Sequence, residues 1–132
     1  MKVVYDTNIY VSGLFWGGSP GDLLKRAAKG EVQLVISGFI LDEISKVLSE
    51  SFGVPEDVVT SIIDTFEAIS VKVYPKYHVN VVRDKKDNGV LECALEGKCD
   101  YIVTGDKDLL ILKEHHGIKI TTPKKFLQIL NP

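Results

Sequence analysis

Tyr101-Ile102-Val103-Thr104-Gly105-Asp106-Lys107-Asp108-Leu109-Leu110 is the stretch that decides the fold. Its three opening residues leave no polar face, so a strand over Asp100–Thr104 has to be covered on both sides. The polar break at Thr104-Gly105 then passes into a short helix over Asp106–Lys113. The pattern recurs upstream. Val32–Ile36 is a second buried strand, and Ser37 caps a helix that aligns Ile40, Leu41, Ile44, Val47 and Leu48 on one face. Lys2–Tyr5 is a β-rich run, followed by a helix over Asn8–Trp16 that ends at Gly17-Gly18. Ser19 at the N-cap, Pro20 at N1 and Asp22 at N3 open a helix that runs through Leu23, Leu24, Ala27 and Ala28 to a stop at Gly30. Pro55 opens another, with Val58, Val59, Ile62, Ile63 and Phe66 inward, and Ser70–Tyr74 alternates like a strand until Pro75. Lys76–Lys86 reads as loop, and Asn88–Gly97 as a helix with Leu91, Ala94 and Leu95 on its face. Ile118–Thr121 is the last strand, and Thr122-Pro123 starts a closing helix. Strands separated by helices need crossover connections and lie parallel. The expected fold is α/β, a three-layer α/β/α sandwich around a small central parallel sheet.

Bulk properties agree with one such unit spanning residues 1–132. Hydrophobic residues make up 45% and charged residues 26%, which excludes disordered, collagen-like and coiled-coil chains. Apolar runs are too short to span a bilayer, and the start, Met1-Lys2-Val3-Val4-Tyr5-Asp6, lacks the features of a signal peptide. A cytoplasmic location is the expectation. Cys93 and Cys99, with no CxxC pair, read as two reduced thiols beside a core. The net charge of −2 argues at first against a nucleic-acid partner.

In a parallel sheet flanked by helices, ligands bind at the carboxyl ends of the strands. Asp6 ends the first strand, Glu43 lies in the helix after the second, and Asp106, with Asp108 behind it, follows the third. Asp87 opens the helix that feeds that third strand, which under regular alternation is expected at the opposite edge. Each acid also has a local explanation. Asp6, Asp87 and Asp106 are candidate N-caps, each worth about 1 kcal/mol, and Glu43 is a surface charge within reach of Lys46 at i+3. Should they converge, their mutual repulsion calls for a counter-cation, and an all-oxygen donor set favours Mg²⁺ or Mn²⁺ over zinc. Carboxylate-held cations of this kind activate water and stabilise the leaving oxygen in phosphodiester hydrolysis.

Taken in order, Asp6-Thr7-Asn8, Ser37 with Glu43, Asp84-Lys85-Lys86-Asp87-Asn88 and Thr104-Gly105-Asp106-Lys107-Asp108-Leu109-Leu110 resemble the PIN domain family. The closing Ile118-Lys119-Ile120-Thr121-Thr122-Pro123-Lys124-Lys125-Phe126-Leu127 is similar to the tail of its prokaryotic toxin branch. The resemblance runs from residue 3 to about residue 130. It implies a metal-dependent endoribonuclease of the VapC type that leaves 5′-phosphate and 3′-hydroxyl ends. It implies an acidic site of Asp6, Glu43, Asp87 and Asp106 holding Mg²⁺ or Mn²⁺, and a loop that brings Asp87 to the others. Asp108 matches a frequently acidic position that holds a second metal through water. Asn8 and Thr104 match polar positions that orient the carboxylates, with Thr7 and Ser12 nearby. Of the two acids Asp84 and Asp87, the second matches better, because Asn88 and the helix follow it. Gly89 departs from the family pattern, where a bulkier residue often stands. Implied partners are an RNA substrate, a separately encoded antitoxin and a second copy of the chain, meeting through the helical hairpin near residues 40–66.

The charge objection weakens on this reading. With the four site acids removed from the 18, 14 acidic residues remain against 16 basic, and Lys85-Lys86, Lys124-Lys125 and Lys25-Arg26 with Lys29 are candidate phosphate contacts. His115-His116, before Gly117, reads as a helix end, where a cation complements the dipole. Phe15-Trp16 reads as packing under a loop or a stacking surface, and Gly17-Gly18-Ser19-Pro20-Gly21 lacks the Lys of a P-loop. Two rival readings remain: a non-catalytic RNA-binding or scaffold module, and a small-molecule phosphohydrolase with Asp6 as nucleophile. Against the second, Asn8 stands where such enzymes carry a second Asp.

Overall fold

A computed structural model describes residues 1–132. In chain order the elements are β1 (Lys2–Tyr5), α1 (Thr7–Phe15), α2 (Gly18–Ala28), β2 (Gln33–Ser37), α3 (Gly38–Lys46), a π-helical turn (Val47–Ser51) and α4 (Glu56–Ala68). They continue with β3 (Ser70–Val73), α5 (Lys85–Glu96), β4 (Tyr101–Val103), α6 (Lys107–Leu110), β5 (Glu114–His115), β6 (Ile118–Thr121) and α7 (Pro123–Leu130). The strands form one sheet in the order β3-β2-β1-β4-β6-β5. All pairings are parallel except β5 with β6. Helix α5 lies against β1, β2 and β4, while α1, α2, α3, α4 and α7 pack on one another. Right-handed crossovers place these two sets on opposite faces of the sheet. No helix is long and apolar enough to cross a membrane.

Apolar runs decide the core. Val3, Val4 and Tyr5, then Leu34, Val35 and Ile36, and Ile102 with Val103, are all buried, as strands covered on both faces require. Cys93 and Cys99 are free and buried, and burial pushes both thiols up to about 12. Strand β1 passes to β2 on one side, and β4 passes to β6 on the other. The order therefore switches between β1 and β4, and a crevice opens beyond their carboxyl ends.

Several expectations need correction. Gly17, at φ +71°, precedes α2 without a side-chain cap, so Ser19 lies inside the helix rather than capping it. Val58 faces solvent, whereas Val59 and Phe66 are buried and Ile62 and Ile63 pack on the core. The helix after β4 is one turn long, and His115 with His116 belong to a β5–β6 hairpin instead of a helix end. The hairpin turns on His116 and Gly117, both at positive φ, and adds an antiparallel edge strand to the expected parallel sheet. Helix α5 begins at Lys85, three residues before the expected start, and its N-cap is Asp84, whose side chain accepts from Lys86 N–H at 3.0 Å. Asp87 is also not at the opposite edge. A helix joining parallel strands runs back across the sheet, so its N-terminus lies at the carboxyl edge without help from any unusual loop.

The connection from β3 to α5 is laid along α5 as a strap. Lys76 N–H donates to Glu96 Oε1 and Val79 N–H to Glu92 Oε2, both at 2.8 Å. Val81 and Val82 N–H both donate to Asn88 Oδ1 at 3.0 Å, and Asn88 Nδ2 returns a bond to Val82 O at 2.8 Å.

Candidate metal centre

A pocket of about 150 Å³ opens at the β1–β4 crevice, lined by Asp6, Thr7, Asn8, Glu43, Val47, Asp84, Lys86, Asp87, Val90 and Asp106. A larger cleft of about 460 Å³ at the opposite edge is lined by Ala27, Val32, Ile69 and their neighbours, with no titratable side chain among them. The titratable side chains are therefore in the smaller space.

Asp6 and Asp106 stand where two parallel strands end, and each caps the helix that follows. Asp6 Oδ1 accepts from Asn8 N–H at 2.9 Å, and Asp106 Oδ1 accepts from Asp108 N–H at 2.8 Å. Thr104 ties the two together. Its hydroxyl accepts from Asp106 N–H at 3.0 Å, so its hydrogen goes to Asp6 Oδ2. Burial raises the Asp6 carboxyl above its ordinary range, and nearby Asp106 adds to that, against the bonds from Thr104, Asn8 and Ile9.

Asp87 is not an N-cap. It sits in the first turn of α5, buried, and its carboxyl is raised to about 7 by loss of water and then by Asp106, with which it shares a hydrogen bond, and by Asp84 and Asp6. Glu43 does not pair with Lys46. Its Oε2 has Lys86 Nζ at 3.5 Å, an ion pair between helices. Glu43 Oε2 and Asp87 Oδ2 are buried with no hydrogen-bond partner. Asp87 Oδ2 with no partner, and Glu43 Oε2 with only the long Lys86 ion pair, are costly in one acidic pocket unless a further cation takes them up. One oxygen each from Asp87, Asp106 and Asp108 lie within 4.8 Å of one another. The donor set is all oxygen, which suits Mg²⁺ or Mn²⁺.

The structure thus brings Asp6, Glu43, Asp87 and Asp106 to one pocket, with Asp108 at its rim beside exposed Arg83 at 3.7 Å. The tight trio of oxygens leaves out Asp6 and Glu43, which form the pocket's other walls. Asn8 contributes its backbone N–H, while its side chain is exposed; Thr7 lines the pocket and Ser12 does not. Asp84, passed over in favour of Asp87, lines the pocket too, as does Lys86. The i, i+3 spacing of Asp84 and Asp87 at a helix start was a usable signal for both. Gly89 does not loosen the helix start. A Cβ there would stand 2.4 Å from the Phe39 ring, so the missing side chain lets α3 and α5 close beside the pocket.

The chain matches the PIN domain family over residues 2–108. It is 34% identical over 142 aligned positions to the uncharacterized protein MJ1680 of Methanocaldococcus jannaschii, covering 97% of this chain and 90% of that one. In three dimensions it is similar to VapBC2 from Rickettsia felis, solved bound to a DNA fragment from its promoter. That match has a TM-score of 0.66 at 16% identity and covers 92% of this chain and 98% of the other. VapBC-1 from nontypeable Haemophilus influenzae matches with a TM-score of 0.63 at 15% identity, covering 94% and 99%. At such identities the two structures speak for the fold. The sequence match across most of the chain establishes more: this protein belongs to the PIN domain family.

Proposed function

We propose that the protein is a divalent-metal-dependent endoribonuclease, the toxin member of a toxin–antitoxin pair. One observation carries the reading. In a chain of a nuclease family, five carboxylates line a pocket at the sheet's switch point, and two of their buried oxygens have no donor. Asp6, Glu43, Asp87 and Asp106 would hold Mg²⁺ or Mn²⁺, and Asp108 would serve a second ion through water. A cation bound there supplies Lewis acidity toward water and the phosphodiester.

The chain's own residues do the rest. Thr104 and the two cap bonds fix the planes of the Asp6 and Asp106 carboxylates, leaving lone pairs on both for a cation. Asp87, whose carboxyl is raised by burial and then by Asp106, would release its proton to make room for a cation. No His, Cys or Tyr lines the pocket, so any proton a side chain takes up there goes to a carboxylate or to Lys86. Asp6 is buried with both oxygens engaged, which fits a positioned ligand better than a nucleophile.

The VapBC complexes among the structural neighbours support an antitoxin partner, and a cytoplasmic setting goes with that role. Apolar surface remains open near the α3–α4 hairpin, at Phe52 stacked on Phe15 with centroids 4.5 Å apart, and at Trp16 and Val58. This supports pairing with a second copy or with an antitoxin. Helix α7 opens at the carboxyl edge, so Lys124-Lys125 lie on the pocket's side of the sheet together with Lys85-Lys86. Lys25, Arg26 and Lys29 end α2 at the opposite edge, and Arg26 is paired with Glu31 at 3.3 Å.

The test incubates the protein with a mixed pool of structured RNAs under Mn²⁺, under chelator, and as Asp6→Asn. Cleavage that requires both metal and Asp6 is expected. Cleavage that persists in chelator, or in Asp6→Asn, would overturn the reading.

A further inference from the structure

Lys86 is the single cationic side chain among the residues lining the acidic pocket. Its ammonium stands 3.5 Å from Glu43 Oε2, an oxygen with no hydrogen-bond donor of its own. The partners are unequal. The Glu43 side chain is 15% exposed and fixed in the wall, whereas Lys86 is 58% exposed and reaches in from solvent on a flexible stem. A cation in the first turn of a helix also opposes the dipole, so the carboxylates, and not α5 itself, account for where the ammonium lies.

Resting on the reading of this pocket as a cation site, we propose that Lys86 is a displaceable counter-ion. In the metal-free protein it neutralises Glu43. When a divalent cation takes that oxygen, the ammonium is released to hold a backbone phosphate of the RNA at the pocket mouth. A divalent ion and an ammonium on one carboxylate oxygen repel each other strongly in a partly dry pocket. Once out, the stem leaves the ammonium near Asp84 and Asp106, in a pocket whose lining otherwise offers a polyanion only carboxylate charge.

The experiment uses Lys86→Met, which keeps the stem and removes the charge, and Lys85→Met as a control with the same change in net charge. First, Mn²⁺ is titrated calorimetrically into the metal-free proteins without RNA. Lys86→Met should bind about fivefold more tightly than wild type, a gap that narrows at high salt, while Lys85→Met shows little gain. Second, at saturating Mn²⁺, Lys86→Met should raise KM for RNA and lower the slope of log KM against log salt by about 0.7 to 1. Equal or weaker Mn²⁺ binding by Lys86→Met overturns the displacement, and so does an equal gain in Lys85→Met. An unchanged KM and salt slope overturn the phosphate contact. Wild type that binds Mn²⁺ but cuts no RNA counts against the nuclease reading alone, because the first arm contains no RNA.

Discussion

Asp6 and Asp106 enter the pocket at the tips of adjacent parallel strands, each bonded to the helix it caps and joined to the other through Thr104. Glu43 and Asp87, on the facing wall, come from the sides of two helices, and each keeps a buried oxygen without a donor. The first wall is satisfied as it stands and fixes position. The second carries an electrostatic demand that the protein meets only in part, through Lys86 and through the raised Asp87 carboxyl. A cation site divided this way is rigid where geometry matters and unsatisfied where binding has to be favourable.

The comparison breaks most completely through the rigid wall. Asp6→Asn should reduce cleavage by at least about a hundredfold, beyond what loss of a supporting residue costs a metal site. The substitution keeps an oxygen for Asn8 N–H but leaves the Thr104 hydrogen unpaired while relieving carboxylate repulsion, so the melting temperature should move by only a few degrees. A large loss of stability would show that Asp6 is chiefly structural. Asn88→Ala acts on the other wall through the strap. It removes the acceptor for Val81 and Val82 N–H and the donor to Val82 O, and should cost about 2–3 kcal/mol in chemical denaturation. Mn²⁺ affinity should fall about tenfold with it, and an unchanged affinity would show that the strap does not position Asp87.

Thr104→Val tests the tie between the two strand ends. It strands Asp106 N–H and should cost about 1–2 kcal/mol, with Thr104→Ser restoring most of it. If valine is as stable as threonine, the tie is dispensable. The smallest effect concerns pH. Asp87 in the metal-free fold holds its proton up to about 7, while the unfolded chain releases it near 4; Asp6 is raised in the same direction. Stability present at low pH is therefore lost as pH rises through about 7. Scanning calorimetry of metal-free protein should give a melting temperature about 3–6 °C higher at pH 5.5 than at pH 8. Saturating Mn²⁺ should reverse that order, because cation and proton compete for the same oxygens. A flat profile without metal would mean that the facing wall is less strained than its orphaned oxygens indicate.

What was legible in the sequence follows the same division. Asp6 and Asp106 could be read because a strand end and a helix cap are local events, encoded within a few residues of each acid. The capping role and the site role were offered as alternatives, and for these two acids the cap bond uses one oxygen while both line the pocket. Asp87 was identified for its neighbours and placed on the wrong edge, an error about the direction of a helix that no single residue reveals. Lys86 reads from sequence as a candidate phosphate contact beside Lys85, with no sign of its pairing to Glu43. Its partner lies 43 positions earlier in sequence, and nothing local couples α3 to α5 except the absent side chain of Gly89 under Phe39. The β5–β6 hairpin was missed because a two-residue strand has no periodicity to detect.

The anchors of the strap, Asn88, Glu92 and Glu96, stand at four-residue steps along α5, so successive attachment points are about 6 Å apart on one face. This divides the connection into stretches with different tolerance for added length. A residue inserted between Lys76 and Val79 falls between two fixed points and can loop outward without disturbing either end. One inserted between Val82 and Asp84 falls after the last fixed point, and the slack goes straight to the cap of α5. Drift in loop length is thus harmless over most of the segment and confined to a few positions where it reaches the acids.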